Sequence, residues 1–205
     1  MNRWGWQVVP RAIVGVALTG AAAAGQSETP PPNPVVEHYK AYTAALQRQD
    51  FATAETEAAA ALEASVQAYG DEGRTAVLAL NLADVRLVQG NLDAAVAPAQ
   101  KALALAEARG SASGVDARLA RLTLDRAQLR SGGPFALNRL EKSVNEAVDV
   151  PALAALAYPG AVELALYAGE KRAYGMAGNA WATVVRILRA QAHPNSLLIA
   201  RALLG

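Results

Sequence analysis

From Val35 onward apolar residues recur every three or four positions, in stretches of about four turns separated by short polar breaks. That spacing predicts amphipathic helices. Breaks fall at Gln49-Asp50, Gly90-Asn91, Gly132-Gly133 and Ala168-Gly169. Counted from Gln49, Gly90, Gly132 and Gly169, they stand 41, 42 and 37 residues apart. A helical stretch lies on each side of every break, so the period belongs to a pair of helices, and such pairs must stack to bury both faces. Runs of β-branched and aromatic residues bounded by turn residues are missing after the N-terminal segment, so no sheet is expected.

Composition strengthens this picture. Of 205 residues 49 are Ala, and aromatics make up only 5%. Alanine loses no side-chain entropy in a helix and lets helices approach closely. The length suits one domain or a short solenoid. With no Cys there is no disulfide, no thiolate nucleophile and no Cys-based metal site. The two histidines, His38 and His193, form no HExxH or HxxxH pair, so a His-based metal site is not expected and no cofactor is implied.

Residues 1–24 have the plan of a secretory signal peptide: Arg3 and Arg11, an apolar run from Ala12 to Ala24, and small residues at Ala22-Ala23-Ala24 for cleavage after Ala24. The apolar run is shorter than the ~20 residues of a spanning helix, and no integral membrane span is expected in the mature chain. Periplasmic or secreted localisation follows. Cleavage leaves 17 basic and 18 acidic residues, a net charge of −1, which argues against nucleic acid as a partner. Residues 25–34 form a Pro-rich linker whose QSETPPPNP run prefers extended conformations. The helical repeat domain is then 35–205.

The stretch from Thr75 to Gly110, TAVLALNLADVRLVQGNLDAAVAPAQKALALAEARG, resembles a tetratricopeptide repeat. Asn81-Leu82-Ala83 matches the family's Leu followed by a small residue in the first helix. Gln89-Gly90-Asn91-Leu92 matches the interhelical turn, and Ala95, Ala99 and Ala102 fall where the second helix carries small residues. The unit around Asp50-Phe51, Ala54 and Ala61-Leu62 aligns too, with Tyr42 where a smaller residue is usual. A period near 42 resembles the longer repeats of the kinesin light chain variety. In the third and fourth units Asp125 and Pro159-Gly160 interrupt expected apolar or helical positions. The resemblance implies an all-α fold: a right-handed α-solenoid of about four stacked antiparallel helix hairpins plus a short C-terminal helix.

It also implies a scaffold that binds a protein or peptide in a concave groove lined by the first helix of each unit. The inward positions carried over from the family are Tyr39, Thr43 and Gln47, then Leu80, Asp84 and Leu87, then Leu122, Arg126 and Leu129. Arg118, Arg121, Arg126 and Arg130 crowd one helix and could grip a carboxylate in bidentate fashion; the plainer reading is a solvated face paired with Asp116 and Asp125. Trp181, Tyr158, Tyr167 and Tyr174 are expected to pack, and His38 to lie on the surface or groove near a helix start.

Catalysis is not expected, because Asp and Glu are scattered along polar helix faces and no GxSxG, P-loop or dinucleotide fingerprint occurs. An all-α enzyme would require a cleft holding titratable groups in contact. A further alternative is a helical sensing or assembly module of a larger envelope system, such as a TonB-like energy transducer. After His193, the run PNSLLIARALLG offers a helix start at Pro194-Asn195-Ser196 and an apolar face, expected either to dock as a buried cap or to open a fifth unit. The residues assign no oligomeric state.

Overall fold

Helices in this chain begin where a polar side chain or a proline can close the first turn. Asn33 accepts from Val35 N at 3.0 Å with Pro34 next to it, and Asp50 accepts from Thr53 N at 3.1 Å. Each bond satisfies an amide that a helix leaves without an internal acceptor. A computed structural model describes residues 33–190 apart from 72, 111–113, 132 and 134. The leader, most of the linker and the expected C-terminal helix lie outside the described residues.

Among the described residues every regular element is helical. The order is α1 Pro34–Gln47, α2 Phe51–Tyr69, α3 Gly73–Val88, α4 Leu92–Arg109, α5 Val115–Ala127, α6 Ala136–Val148, α7 Pro151–Ala154 and α8 Tyr158–Glu170, then α9 Tyr174–Ala190. A 3₁₀ turn, Ala155–Ala157, joins α7 to α8. From α1 to α6 each helix packs on the next; α6 then packs on α8, and α8 on α9. Beyond these neighbours α3 also meets α5, and α5 meets α8.

Three reversals share one backbone geometry. Gln49, Gly90 and Arg172 are left-handed, with φ of 58°, 80° and 60°. The following amide reaches back five residues in each: Asp50 N to Ala45 O at 3.0 Å, Asn91 N to Arg86 O at 2.9 Å, and Ala173 N to Ala168 O at 2.8 Å. The left-handed residue's own amide bonds to Leu46, Leu87 or Gly169 O, always at 3.0 Å. This double bond is the Schellman motif, which satisfies carbonyls the helix end would otherwise leave bare. The reversal expected at Ala168-Gly169 is therefore displaced: α8 continues through Gly169 to Glu170, and Arg172 makes the turn.

Gln49, Gly90 and Arg172 lie one and then two steps of 41 residues apart. The third reversal carries its positive φ at Gly133, two residues beyond that step, and α6 starts at Ala136. The 41-residue step also runs through the buried faces. Ala54, Ala95, Ala136 and Ala177 are all buried, as are Ala61, Ala102, Ser143 and Val184 on the second helices. On the first helices Ala79, Ala120 and Ala161 have no exposed surface. Small side chains at matching steps bring successive helix axes close in the same way each time.

Two buried hydroxyls close the connection between α2 and α3. Thr75 Oγ1 donates to Gly70 O at 2.8 Å and shares a 2.9 Å hydrogen bond with Ser65 Oγ, tying the end of α2 to the start of α3. Pro159-Gly160, read as an interruption, opens α8 without breaking it, since proline is tolerated in a first helical turn. Gly160 is buried where α5, α6 and α8 meet, and a Cβ there would stand 3.1 Å from Leu122 Cδ1 and 3.3 Å from Val144 Cγ2. The stretch Pro151–Glu170 is long and apolar enough to cross a membrane by length and composition. In the fold it packs against α5, α6 and α9.

Candidate binding surface

An ionic row crosses three first helices. Arg126 of α5 donates from Nε and Nη2 to Glu163 Oε2 and Oε1 of α8, both at 2.8 Å. Its Nη1 lies 3.8 Å from Asp84 Oδ1 of α3. Arg126 is buried, while the two carboxylates keep about a quarter of their side-chain surface exposed. Burial alone would weaken the guanidinium's hold on its proton, but the charge and hydrogen bonds of Glu163, then the charge of Asp84, reverse this and raise its pKa above the ordinary value. The fork geometry of arginine matches a carboxylate with two parallel bonds, which fixes the relative position of α5 and α8.

Beside this row Asp125 is buried and accepts a short hydrogen bond at Oδ2 from Ser143 Oγ of α6, with Arg139 Nε 3.6 Å from Oδ1. Burial raises the Asp125 carboxyl above the usual range, opposed by the Ser143 bond and by the charges of Arg139 and Arg121. Arg118 and Arg121 of α5 and Arg130 in the turn after it also reach outward. Arg118 Nη1 donates to Glu146 O at 3.2 Å, Arg121 Nη2 to Glu107 Oε1 at 2.7 Å, and Arg130 Nη1 to Glu170 Oε2 at 3.4 Å. Arg130 also stands over the Tyr167 ring at 5.0 Å. Arg118 and Arg121 therefore tie α5 to α6 and α4, and Arg130 ties the turn after α5 to α8.

The nine carried-over positions divide into surface and core. On α1, Tyr39 and Thr43 are half-buried and Gln47 is exposed. Tyr39 packs on Tyr42 with ring centroids 5.9 Å apart, and Thr43 Oγ1 donates to Lys40 O at 2.8 Å. Leu80, Leu87, Leu122 and Leu129 are 5, 8, 1 and 5% exposed, so these four side chains are packed in the interior, with Leu80 also lining a groove. Asp84 and Arg126 meet in the ionic row. The 41-residue step places Arg121, Asp125 and Gln128 at the repeat positions of Leu80, Asp84 and Leu87, one residue before the carried-over set.

Two open grooves mark the surface. One, of about 960 Å³, lies between α8 and α9 and is floored by Ala165, Gly169, Ala177 and Val185, with Trp181 and Arg189 along its side. The smaller, about 280 Å³, lies where α3, α4 and the start of α5 meet, around Leu80, Ala102 and Ala117. Trp181, Tyr158 and Tyr167 pack partly against the core, as expected. Tyr174 does not: it is 71% exposed at the mouth of the larger groove. His38 Nδ1 bonds Glu57 Oε2 at 2.8 Å on the surface of α1 and α2.

Glu163, Ser143 and Arg139 carry the interior charge network and stand out in no sequence motif. Their partners lie 37, 18 and 14 residues away in the chain, and only the packing of helices brings them together. No protein-family model matches this chain, and no curated protein does.

Proposed function

We propose that this chain is an exported tetratricopeptide-like scaffold, a right-handed solenoid of four helix hairpins that binds a protein or peptide partner without catalysis. The observation that carries the reading is the 41-residue register. Turn geometry, buried alanines and helix order recur together at that step, as they do when identical supersecondary units stack side by side. The resemblance of Thr75–Gly110 to a tetratricopeptide repeat falls in the same register, since Leu82-Ala83 and Leu164-Ala165 are two steps of 41 apart.

A scaffold role also agrees with the chemistry. Arg126, Asp84 and Glu163 pair with one another across three helices and are not among the lining of either groove. Charges spent on holding helices in register are not poised for acid–base work. Binding falls to the first-helix face, where Tyr39, Thr43 and Gln47 of α1 offer aromatic, hydroxyl and amide groups and, on later first helices, Asp84 and Glu163 keep about a quarter of their side-chain surface exposed. Mixed walls of this kind suit an extended peptide or a partner helix.

Site-specific photocrosslinking in the intact protein tests this. A photoreactive residue at Thr43 or Gln47 is expected to capture a discrete polypeptide partner from an envelope extract, while one at Thr56, exposed on α2, is not. Equal capture at all three positions, or none at any, would refute the groove.

A further inference from the structure

Each earlier second helix is covered by the first helix that follows it: α3 packs on α2, α5 on α4 and α8 on α6. Among the described residues α9 packs chiefly on α8, and the groove between them opens to the surface. This end of the stack also differs from the rest in charge. α2, α4 and α6 carry three, two and two carboxylates, whereas α9 carries none. From Lys171 to Gly205 the sequence has five basic residues and no Asp or Glu.

We infer that the α8/α9 groove is a docking site for an amphipathic helix of a partner protein, apolar in its middle and acidic at its ends. Tyr174, Gly178, Ala182, Arg186 and Arg189 line the groove and are all exposed, at steps of three or four, so they form one strip along α9. Its fifteen steps from 174 to 189 span about 22 Å, roughly four helical turns. Leu166 of α8, 40% exposed, and half-buried Trp181 add apolar surface to the same lining. The small side chains at Gly178 and Ala182 let a second helix axis come close. Buried Ala165, Ala177 and Val185 lie beneath, so the surface is concave and suits an inserted row of side chains better than a flat bilayer.

Charge selects the partner. Lys171 and Arg172 are exposed in the turn before Tyr174, and Arg186 and Arg189 close the other end of the strip. Arg186 stands 3.8 Å from Asp149, beyond hydrogen-bond reach, and both side chains are more than half exposed, so a partner's carboxylate can replace this weak pair. Arg189 has no ion-pair partner among the described residues. A second copy fits poorly: α9 laid antiparallel on α9 sets Arg186 and Arg189 of one copy beside Lys171 and Arg172 of the other, and like charges oppose docking. The groove is lined by α8 and α9 alone, away from Thr43 and Gln47 of α1, so it stands or falls independently of the first-helix face.

Fluorescence anisotropy of a labelled peptide tests this. The probe is a helical peptide of Leu, Ala and Glu, with Leu at i, i+3, i+4 and i+7 and Glu at both ends, titrated with the full chain. Saturable binding that weakens as salt rises is expected, and a scrambled peptide of the same composition is expected not to bind. Arg186→Glu with Arg189→Glu weakens binding about tenfold or more and transfers it to the peptide with Lys in place of Glu, a gain that an unfolded variant could not show. A Cβ at Gly178 would meet no atom within 4 Å, so Gly178→Gln fills the groove and weakens binding with an unchanged far-UV circular dichroism spectrum. Lys40→Glu with Lys142→Glu, exposed on α1 and α6, leaves binding unchanged. The proposal is overturned if the Glu peptide does not bind, if the scrambled peptide binds as well, or if the groove variants bind like the wild type. Binding to phosphatidylglycerol vesicles with none to the peptide would assign the face to a membrane, and a dimer of the full chain that Gly178→Gln separates would assign it to a second copy. Either result overturns the partner helix.

Discussion

Replacing Arg126 by Met isolates the ionic row. Methionine keeps most of the aliphatic stem that packs near Gly160 and deletes the charge, leaving Glu163 and Asp84 without the guanidinium that lay 2.8 Å and 3.8 Å from them. Breaking a buried pair at one end costs about 3–5 kcal/mol. Both carboxylates retain about a quarter of their surface, so water recovers part of the loss and the low end applies, ~3 kcal/mol. For a domain of this size that is a fall of about 6–12 °C in melting temperature. Replacing Glu163 by Gln in the same background removes one uncompensated charge, so the double variant is expected to regain ground, with a coupling of about 2 kcal/mol between the two sites. Urea denaturation of the wild type, both single variants and the double variant, followed by far-UV circular dichroism, measures the cycle. A loss under about 1 kcal/mol for R126M, with the cycle additive to within ~0.5 kcal/mol, would refute the view that this row holds α3, α5 and α8 together.

Gly160→Ala places a methyl against Leu122, Val144 and Arg126 at 3.1–3.4 Å, so crowding outweighs the gain in helix propensity. A net loss of about 1 kcal/mol is expected in chemical denaturation. Gly175→Ala, with no atom within 4 Å, instead gains about 0.5 kcal/mol, and the contrast tests the close approach at Gly160. Arg172→Gly relieves a left-handed residue at φ 60° and is expected to add about 0.5–1 kcal/mol, read as a rise in melting temperature. Asp125→Asn keeps an acceptor for Ser143 and removes a buried charge. Because the folded pKa of Asp125 is raised, the ionised form opposes folding above that value and the protonated form does not. The variant is therefore more stable than the wild type at neutral pH. Its advantage fades as pH falls through the folded pKa and is gone below the unfolded value of about 3.9. An advantage that stayed constant with pH would contradict the assignment.

Local features proved readable in the chain and distant ones did not. The reversals at Gln49 and Gly90 announce themselves through Asp50 and Asn91, polar residues able to close the next helix, beside a residue able to turn left. The fourth reversal misled because Gly169 looks like the turn, yet the motif rests on backbone bonds from Ala173 and Arg172, and arginine tolerates the left-handed φ when those bonds hold it. Asp125 broke the apolar pattern and drew notice, but its hydroxyl partner Ser143 sits on the next helix and looks like any solvent-facing serine. Glu163 gave no signal, since a glutamate in an apolar helix becomes meaningful only once Arg126 is known to face it. Leu122, Arg126 and Leu129 stand one residue beyond the 41-residue register, yet Leu80 and Leu87, which keep it, are buried as well, so those first-helix leucine positions face the core in either register.

Sequential packing also bears on how this chain reaches its native state. Arg126 finds Glu163 only 37 residues along the chain, and Arg130 finds Glu170 only 40 away. With so little loop to close at each step, folding on the microsecond-to-millisecond scale is expected. A polypeptide emerging end-first from a narrow channel could then bury one hairpin at a time, without waiting for its far end to arrive.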